Sequence, residues 1–477
     1  MPWTYSRWVR AFGLIRDAMP PERRARWEQA LTLGYSGIAR SALSRVHNIP
    51  THHAMGLYHA GQILDHPEWR KQAKAFMGKV CADQNPGGFW SEHYGPVIQY
   101  DFVYSDALGI YYAMSKDGTV LPALERAAQF HAAWTYPDGT PVETVDERNP
   151  YHAGAQLGTV GFSCSPVGRG FLQQQWQRLK ALGMGLDLFS RGGLKNSAEW
   201  QRLKATGREI DADTAAAFIL YGQAGSTSPP PGNQEQFRSV LGNNDAVVQR
   251  HRPWFVALSA YHTPVVENRW IQDRQNLVSL FHDRVGLIVG GGNTKLQPLW
   301  SAFTVGDVSL LSHRRSDTNP KFTPPSGLWH LPSSAQLDPD RLSLALSYGA
   351  EQCRVGVDVT DSNRAVLTYE ATTSSGQAVE AHVTLLPRMG ATWMAASGKK
   401  GTLDDQPLRL AAGEAGAWFA HNGWRISAPP TATIVWPVLP HNPYRKDGRA
   451  AAEEGRIVLV LPFSAQNQRY ALTVEVQ

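Results

Sequence analysis

The chain has 477 residues, 42% of them hydrophobic and 18% charged; this is more than one core of about 250 to 300 residues usually serves, and the balance excludes a disordered or collagen-like chain. Two domains of unequal kind are therefore expected. The 46 Lys and Arg exceed the 41 Asp and Glu by a net charge of only +5, with no Lys/Arg-rich block, which argues against a nucleic-acid partner.

No apolar run approaches the roughly 18 residues of a membrane span. The start, Met1-Pro2-Trp3-Thr4-Tyr5-Ser6-Arg7-Trp8, lacks the apolar stretch of a signal peptide, so the location reads as cytoplasmic, or as periplasmic or secreted if a leader has been removed. Cys81, Cys164 and Cys353 are far apart and odd in number, which fits neither a disulfide framework nor a cysteine zinc site. The 16 Trp, 16 Tyr and 16 Phe provide flat rings that suit cores and sugar faces alike.

Residues 1–225 read as helix after helix. Pro20-Pro21-Glu22 opens one, with Trp27, Ala30, Leu31, Tyr35, Ile38 and Leu43 recurring at helical spacing. A second is expected over 52–64. A third opens at Pro67-Glu68, carries Trp69, Ala73, Phe76 and Val80, and ends near Cys81. Helices over 97–113 and 120–134 flank Lys116-Asp117-Gly118; others are expected over 168–182, 196–206 and 211–222, with glycine breaks at 183–185 and 192–193. Short connections imply antiparallel hairpins, and so many in succession without a fixed repeat imply an incomplete α/α toroid rather than a repeat array.

The run Gly225-Ser226-Thr227-Ser228-Pro229-Pro230-Pro231-Gly232-Asn233 cannot continue a helix, so a linker is expected over 226–235. Beyond it the period changes to two, over 254–260, 276–281, 285–289, 365–369, 382–386, 433–436 and 456–461. Short runs bounded by turn residues, with no helices between them, predict an antiparallel sheet or sandwich over 236–477. The expected fold is thus multidomain α+β, helices first and strands second.

Three constellations carry chemistry. At 47–53, His47-Asn48-Ile49-Pro50-Thr51-His52-His53 begins a helix; its plain reading is an Asn or Thr cap with surface histidines. At 87–101, Gly87-Gly88-Phe89-Trp90-Ser91-Glu92-His93-Tyr94-Gly95-Pro96 forms a shaped loop entering a helix with Gln99, Tyr100 and Asp101, where Tyr100 and Tyr104 share a face and the plain reading is core aromatics. At 136–152 a long loop holds Asp138, Glu143, Asp146, Glu147, Arg148, Tyr151 and His152. Loops of that length are usually functional or disordered, and its fixed-conformation residues argue against disorder, although any single charge there reads by default as solvated.

These three segments, in this order, resemble the heparinase II/III and alginate lyase superfamily. Asn48 before an apolar, glycine-containing helix is similar to its catalytic-Asn helix, Gly88-Phe89-Trp90-Ser91-Glu92 with a following Tyr to its second segment, and Pro137-Asp138-Gly139 with Pro141 and Asp146 to its third. The resemblance implies a lyase that cleaves an anionic, uronate-containing polysaccharide by β-elimination, with no required cofactor. Such a reaction needs the uronate carboxylate neutralised before the C5 proton leaves, a task for Asn48, His53 and Arg148. A phenol whose pKa is lowered by cations can act as base, and a phenol can protonate the leaving O4. Tyr100 is expected in both roles, with His52 or His152 as the alternative base and Tyr94 as the alternative acid. Trp90, Glu92, His93, Gln99, Glu143, Arg148 and Tyr151 are expected to bind substrate.

Rival readings share the architecture. An inverting glycoside hydrolase needs two carboxylates, as Glu92 with Glu143 or Asp146; a uronate C5 epimerase would use the same Tyr and His groups; a carbohydrate-binding toroid would need only rings such as Trp90. His262, His282 and Asp283 leave room for a structural divalent cation, although isolated histidines usually hold none. Gly290-Gly291-Gly292 follows a strand but leads into Asn293-Thr294-Lys295, not a helix, so it is no phosphate-binding loop.

Overall fold

The computed structural model describes residues 2–151, 154, 156, 159–181, 212–314 and 317–477. The helix expected over 196–206, both glycine breaks and His152 lie outside these residues. The chain divides into two compact units: Met1–Glu92, Pro96–Thr135 and His152–Pro231 form one, and His93–Gly95, Tyr136–Tyr151 and Gly232–Gln477 the other.

The first unit is helical. Among the described residues its helices are α1 (Pro2–Ile15), α2 (Pro21–Ser41), α3 (Asn48–Ile63), α4 (Pro67–Ala82), α5 (Ile98–Ser115), α6 (Leu121–Ala133), α7 (Pro166–Ala181) and α8 (Ala212–Tyr221). Proline stands at the first position of α2 and α4, where its missing N–H costs nothing. Helix α1 was not expected; it buries only Val9 and Phe12 fully and leaves Trp8, Leu14 and Ile15 exposed.

Helix α3 is the hub, because two of its faces are buried. Leu57 and Ala60 join Leu31, Tyr35 and Trp69 in one cluster, while Ala54 and Met55 join Phe76, Tyr104, Leu108 and Leu124 in another. Helix α5 is buried nearly all round, and Gly109 permits this: a Cβ there would lie 2.2 Å from the Cα of Gly161. No described helix is long and apolar enough to cross a membrane.

The second unit is a two-sheet antiparallel sandwich. One sheet has 11 strands, running from Gln236–Leu241 through Trp254–Ser259, Val278–His282 and Val379–Leu385 to Leu408–Leu410; the other has 9, from Lys400–Thr402 through Arg469–Val476 and Glu351–Asp361 to Ser334–Asp338. Their inner faces share one core containing Trp254, Leu280, Phe303, Val355, Leu367 and Leu472, the packing expected of alternating apolar positions.

His93–Gly95 and Tyr136–Tyr151, read from sequence as parts of the helical domain, belong to this second unit. The reason is packing that sequence periodicity does not report. Tyr136 stacks on Phe281 with ring centroids 5.0 Å apart and meets Phe255 edge-on at 5.3 Å.

Candidate active site

The start of α3 and the helix α5 bring three polar side chains to one carboxylate, which the loop before α5 supplies. Asn48, only 2% exposed, donates its amide N–H to Glu92 Oε1 at 2.9 Å. His47 Nε2 lies 3.2 Å from Glu92 Oε2. Tyr104, one turn beyond Tyr100, donates its hydroxyl to Glu92 Oε1 at 3.5 Å. The Glu92 side chain itself is 4% exposed.

The loop that delivers Glu92 is held at several points. Gly88 turns with φ +96°, and a Cβ there would sit 2.3 Å from the Arg126 carbonyl oxygen. Asn85 N–H donates to Phe89 O and Gly88 N–H to Asn85 O, each at 2.8 Å. Trp90 donates its backbone N–H to Asp101 Oδ1 and its indole N–H to Val80 O, both at 2.9 Å, and stacks on Tyr104 with centroids 4.9 Å apart. Ser91 and Pro96 then close the loop as an antiparallel bridge.

Electrostatics sort these groups by protonation. The hydrogen bond to Glu92 raises the His47 pKa above its ordinary value of 6.5 and outweighs the opposing effect of burial. Burial, then the charge of Glu92, pushes the Tyr104 phenol far above its usual value, so it stays protonated. Burial lowers the His53 pKa, which leaves that imidazole neutral near pH 7. The arrangement therefore offers an oriented amide, an imidazole biased towards its cation and a neutral phenol.

A second cluster stands within the other unit. Glu147 accepts Tyr94 N–H at 2.8 Å, faces His93 Nδ1 at 2.8 Å and lies 3.9 Å from Arg274 Nη2. Arg274 also donates to Val145 O and stacks over Tyr261 at 5.0 Å.

Over its whole length the chain aligns with a crystal structure of heparinase III, covering 69% of that protein with a TM-score of 0.56 at 11% identity. The fold is heparinase III-like. A chondroitin AC lyase variant from Streptomyces coelicolor A3 aligns over 99% of the chain and 66% of its own (TM-score 0.49, 13% identity), and a heparan sulfate lyase from Pedobacter heparinus over 100% and 68% (0.40, 11%). No protein-family model and no curated protein matches the sequence.

Within this heparinase III-like fold several sequence-based assignments change. Asn48 is no cap: His47 occupies the cap position without a side-chain bond, and the Asn48 amide turns to Glu92. His52 is buried, with Nε2 2.9 Å from Ser6 Oγ and its ring edge-on to Trp3, so it is not a surface histidine. Burial lowers the pKa of His53, expected to help neutralise the uronate carboxylate, whereas the hydrogen bond to Glu92 raises that of His47, to which the sequence gives no role. Trp90 is 1% exposed and offers no face to a sugar. Gln99 and Tyr100 are half-buried in the first turn of α5.

The loop charges are not solvated either. Glu143 is buried and accepts from Ser279 Oγ at 2.7 Å, Gly291 N at 3.0 Å and Tyr136 OH at 3.0 Å. Burial raises its pKa. Asp146 is buried too, and its Oδ1 caps Arg148 N and Asn149 N at 2.7 and 2.8 Å. These are structural carboxylates of the second unit rather than groups open to a sugar. Tyr151 is half-buried and donates its N–H to Gly291 O; Arg148 stacks over Trp270 at 5.0 Å; Tyr94 is 39% exposed.

The proposed metal trio does not converge on an ion. His282 spends one ring nitrogen on Ser362 O and the other on Arg284 N–H; Asp283 pairs with Arg250 and Arg252; His262 is exposed beside Ala260 O. Among the described residues no group of three His, Cys, Asp or Glu side chains could hold a metal ion.

Proposed function

We propose that this chain is a polysaccharide lyase that cleaves an anionic, uronate-containing polysaccharide by β-elimination. The observation that carries the reading is the convergence of Asn48, His47 and Tyr104 on the buried Glu92 carboxylate. The heparinase III-like fold supports it, since the neighbour that carries that fold is named a heparinase.

Removing the C5 proton of a uronate builds charge on its carboxylate, and two donors meet that charge: the Asn48 N–H that Glu92 does not take, and the His47 imidazolium. One well-oriented donor of this kind contributes roughly 3 kcal/mol. As the C5–H electrons form the C4=C5 double bond, the C4–O4 bond breaks and Tyr104 protonates the departing O4. Tyr104 keeps its proton at rest, which leaves it a proton to give and opposes its use as resting base. Tyr100, on the same face of α5, is proposed as the base that takes the C5 proton. Glu92 is a positioning residue: it orients the amide and favours the charged imidazole.

A hydrolase reading loses its second carboxylate, because Glu143 and Asp146 spend their oxygens on hydroxyl and backbone donors. Incubation with a panel of uronate polymers, followed by ultraviolet absorbance of the 4,5-unsaturated product, tests the proposal. New reducing ends without that absorbance would point to hydrolysis and overturn it.

A further inference from the structure

Large aromatic side chains facing water on a polar surface need a reason, and two stand together on the second unit. Trp270 is 38% and Tyr444 66% exposed, with ring centroids 5.4 Å apart at 60°. The Arg148 guanidinium lies 5.0 Å from the Trp270 ring and 5.8 Å from the Tyr444 ring, and that of Arg269 lies 6.0 Å from Trp270.

The turns bearing the rings are built in advance of any ligand. Trp270 N–H donates to Asn268 Oδ1 at 2.8 Å and Tyr444 N–H to Asn442 Oδ1 at 3.0 Å. Arg269 Nη2 ties the two turns together through the carbonyls of Arg445 and Lys446, at 3.1 and 3.2 Å. The side chains of Arg445 and Lys446 are exposed. In the same turns Glu267 accepts from Phe322 N–H and Thr323, and Asp447 accepts from Arg449 N–H.

Flat rings cover the C–H face of a pyranose, while guanidinium groups bind carboxylate or sulfate oxygens in pairs. We infer that Trp270 and Tyr444, flanked by Arg148, Arg269, Arg445 and Lys446, form a subsite for an acidic saccharide unit. The choice of saccharide rests on the lyase reading above; the subsite itself is a binding claim about the second unit.

The test is calorimetric titration of the full chain, carrying Tyr104→Phe to prevent cleavage, with a heparin octasaccharide, an alginate octasaccharide and neutral maltooctaose. Adding Trp270→Ala and Tyr444→Ala should weaken binding of at least one acidic octasaccharide tenfold or more; which one separates sulfate from carboxylate recognition. Arg445→Gln with Lys446→Gln should flatten the salt dependence of that binding. An unchanged Kd after loss of both rings, no saturable binding of either acidic octasaccharide by the parent, or equally tight binding of maltooctaose overturns the inference. Lost binding together with no unsaturated product from the wild type would retain the subsite and sink the lyase reading; product formation with an unchanged Kd would do the reverse.

Discussion

Replacing Tyr104 with Phe separates chemistry from packing because the hydroxyl and the ring do different things. The ring stacks on Trp90 at 4.9 Å with planes 7° apart, a contact worth about 1 kcal/mol that Phe preserves. The hydroxyl makes one described hydrogen bond, to Glu92 at the long distance of 3.5 Å, whose net contribution is at most about 1 kcal/mol. For domains of this size the melting temperature should fall by no more than about 3 °C. A general acid is worth roughly 100-fold to 10,000-fold in rate, or about 3 to 5 kcal/mol. The initial rate of ultraviolet absorbance on a cleavable uronate polymer and a thermal melt on the same sample read both scales. A Tyr104→Phe enzyme turning over within threefold of wild type would refute the acid assignment. Tyr100→Phe in parallel tests the base and should also abolish product formation.

Three further expectations concern the supports. Glu92→Gln removes the main cause of the raised His47 pKa, so the alkaline limb of the pH–rate profile should move to lower pH; a limb that stays put removes His47 from the reaction. The same pair is linked to stability: a folded pKa above 6.5 means a contribution fully present below that pH and lost as pH rises through the folded value. Glu143→Ala strands three donors in the second unit and should cost about 3 kcal/mol, read from the denaturation midpoint, whereas a catalytic Glu143 would lose rate with stability intact. Gly88→Ala forces a non-glycine residue to φ +96° against the Arg126 carbonyl, at a cost of about 2 kcal/mol for the backbone alone. It should slow turnover, because the strained loop is the one carrying Glu92; an unaltered melt and rate would show that the turn is slack.

Local chemistry made much of the fold readable. Pro21 and Pro67 announce α2 and α4 because proline is tolerated where no intrahelical N–H is needed, and the change of period after the proline run separates helices from strands. Helix α1 escaped notice because only Val9 and Phe12 are fully buried while three large apolar side chains face outward, which blurs its stripe. The loop carboxylates were misread for a different reason. Nothing near Glu143 in sequence reveals that the Gly290–Gly292 backbone, with all three residues at positive φ, closes on its carboxylate; a Cβ at Gly290 would lie 2.5 Å from Glu143 Oε1. From sequence the triple glycine reads only as no phosphate-binding loop; that it lies against a distant carboxylate is set by the fold.

Candidate site residues were legible only as far as helical periodicity reaches. Asn48 and Glu92 stand in short segments whose composition already sets them apart, and their hydrogen bond joins two elements that such segments name separately. Tyr100 and Tyr104 cannot be ranked that way, since residues four apart share a face and differ only in depth. Depth is what distinguishes them: the inner ring, packed on Trp90 beside Glu92, is held in its protonated form. The outer ring, Tyr100, is half-buried. His47 follows the same logic one step before the helix. As the residue before the expected cap it carries no signal in the sequence, yet beside a buried carboxylate its pKa is raised, whereas burial lowers that of His53.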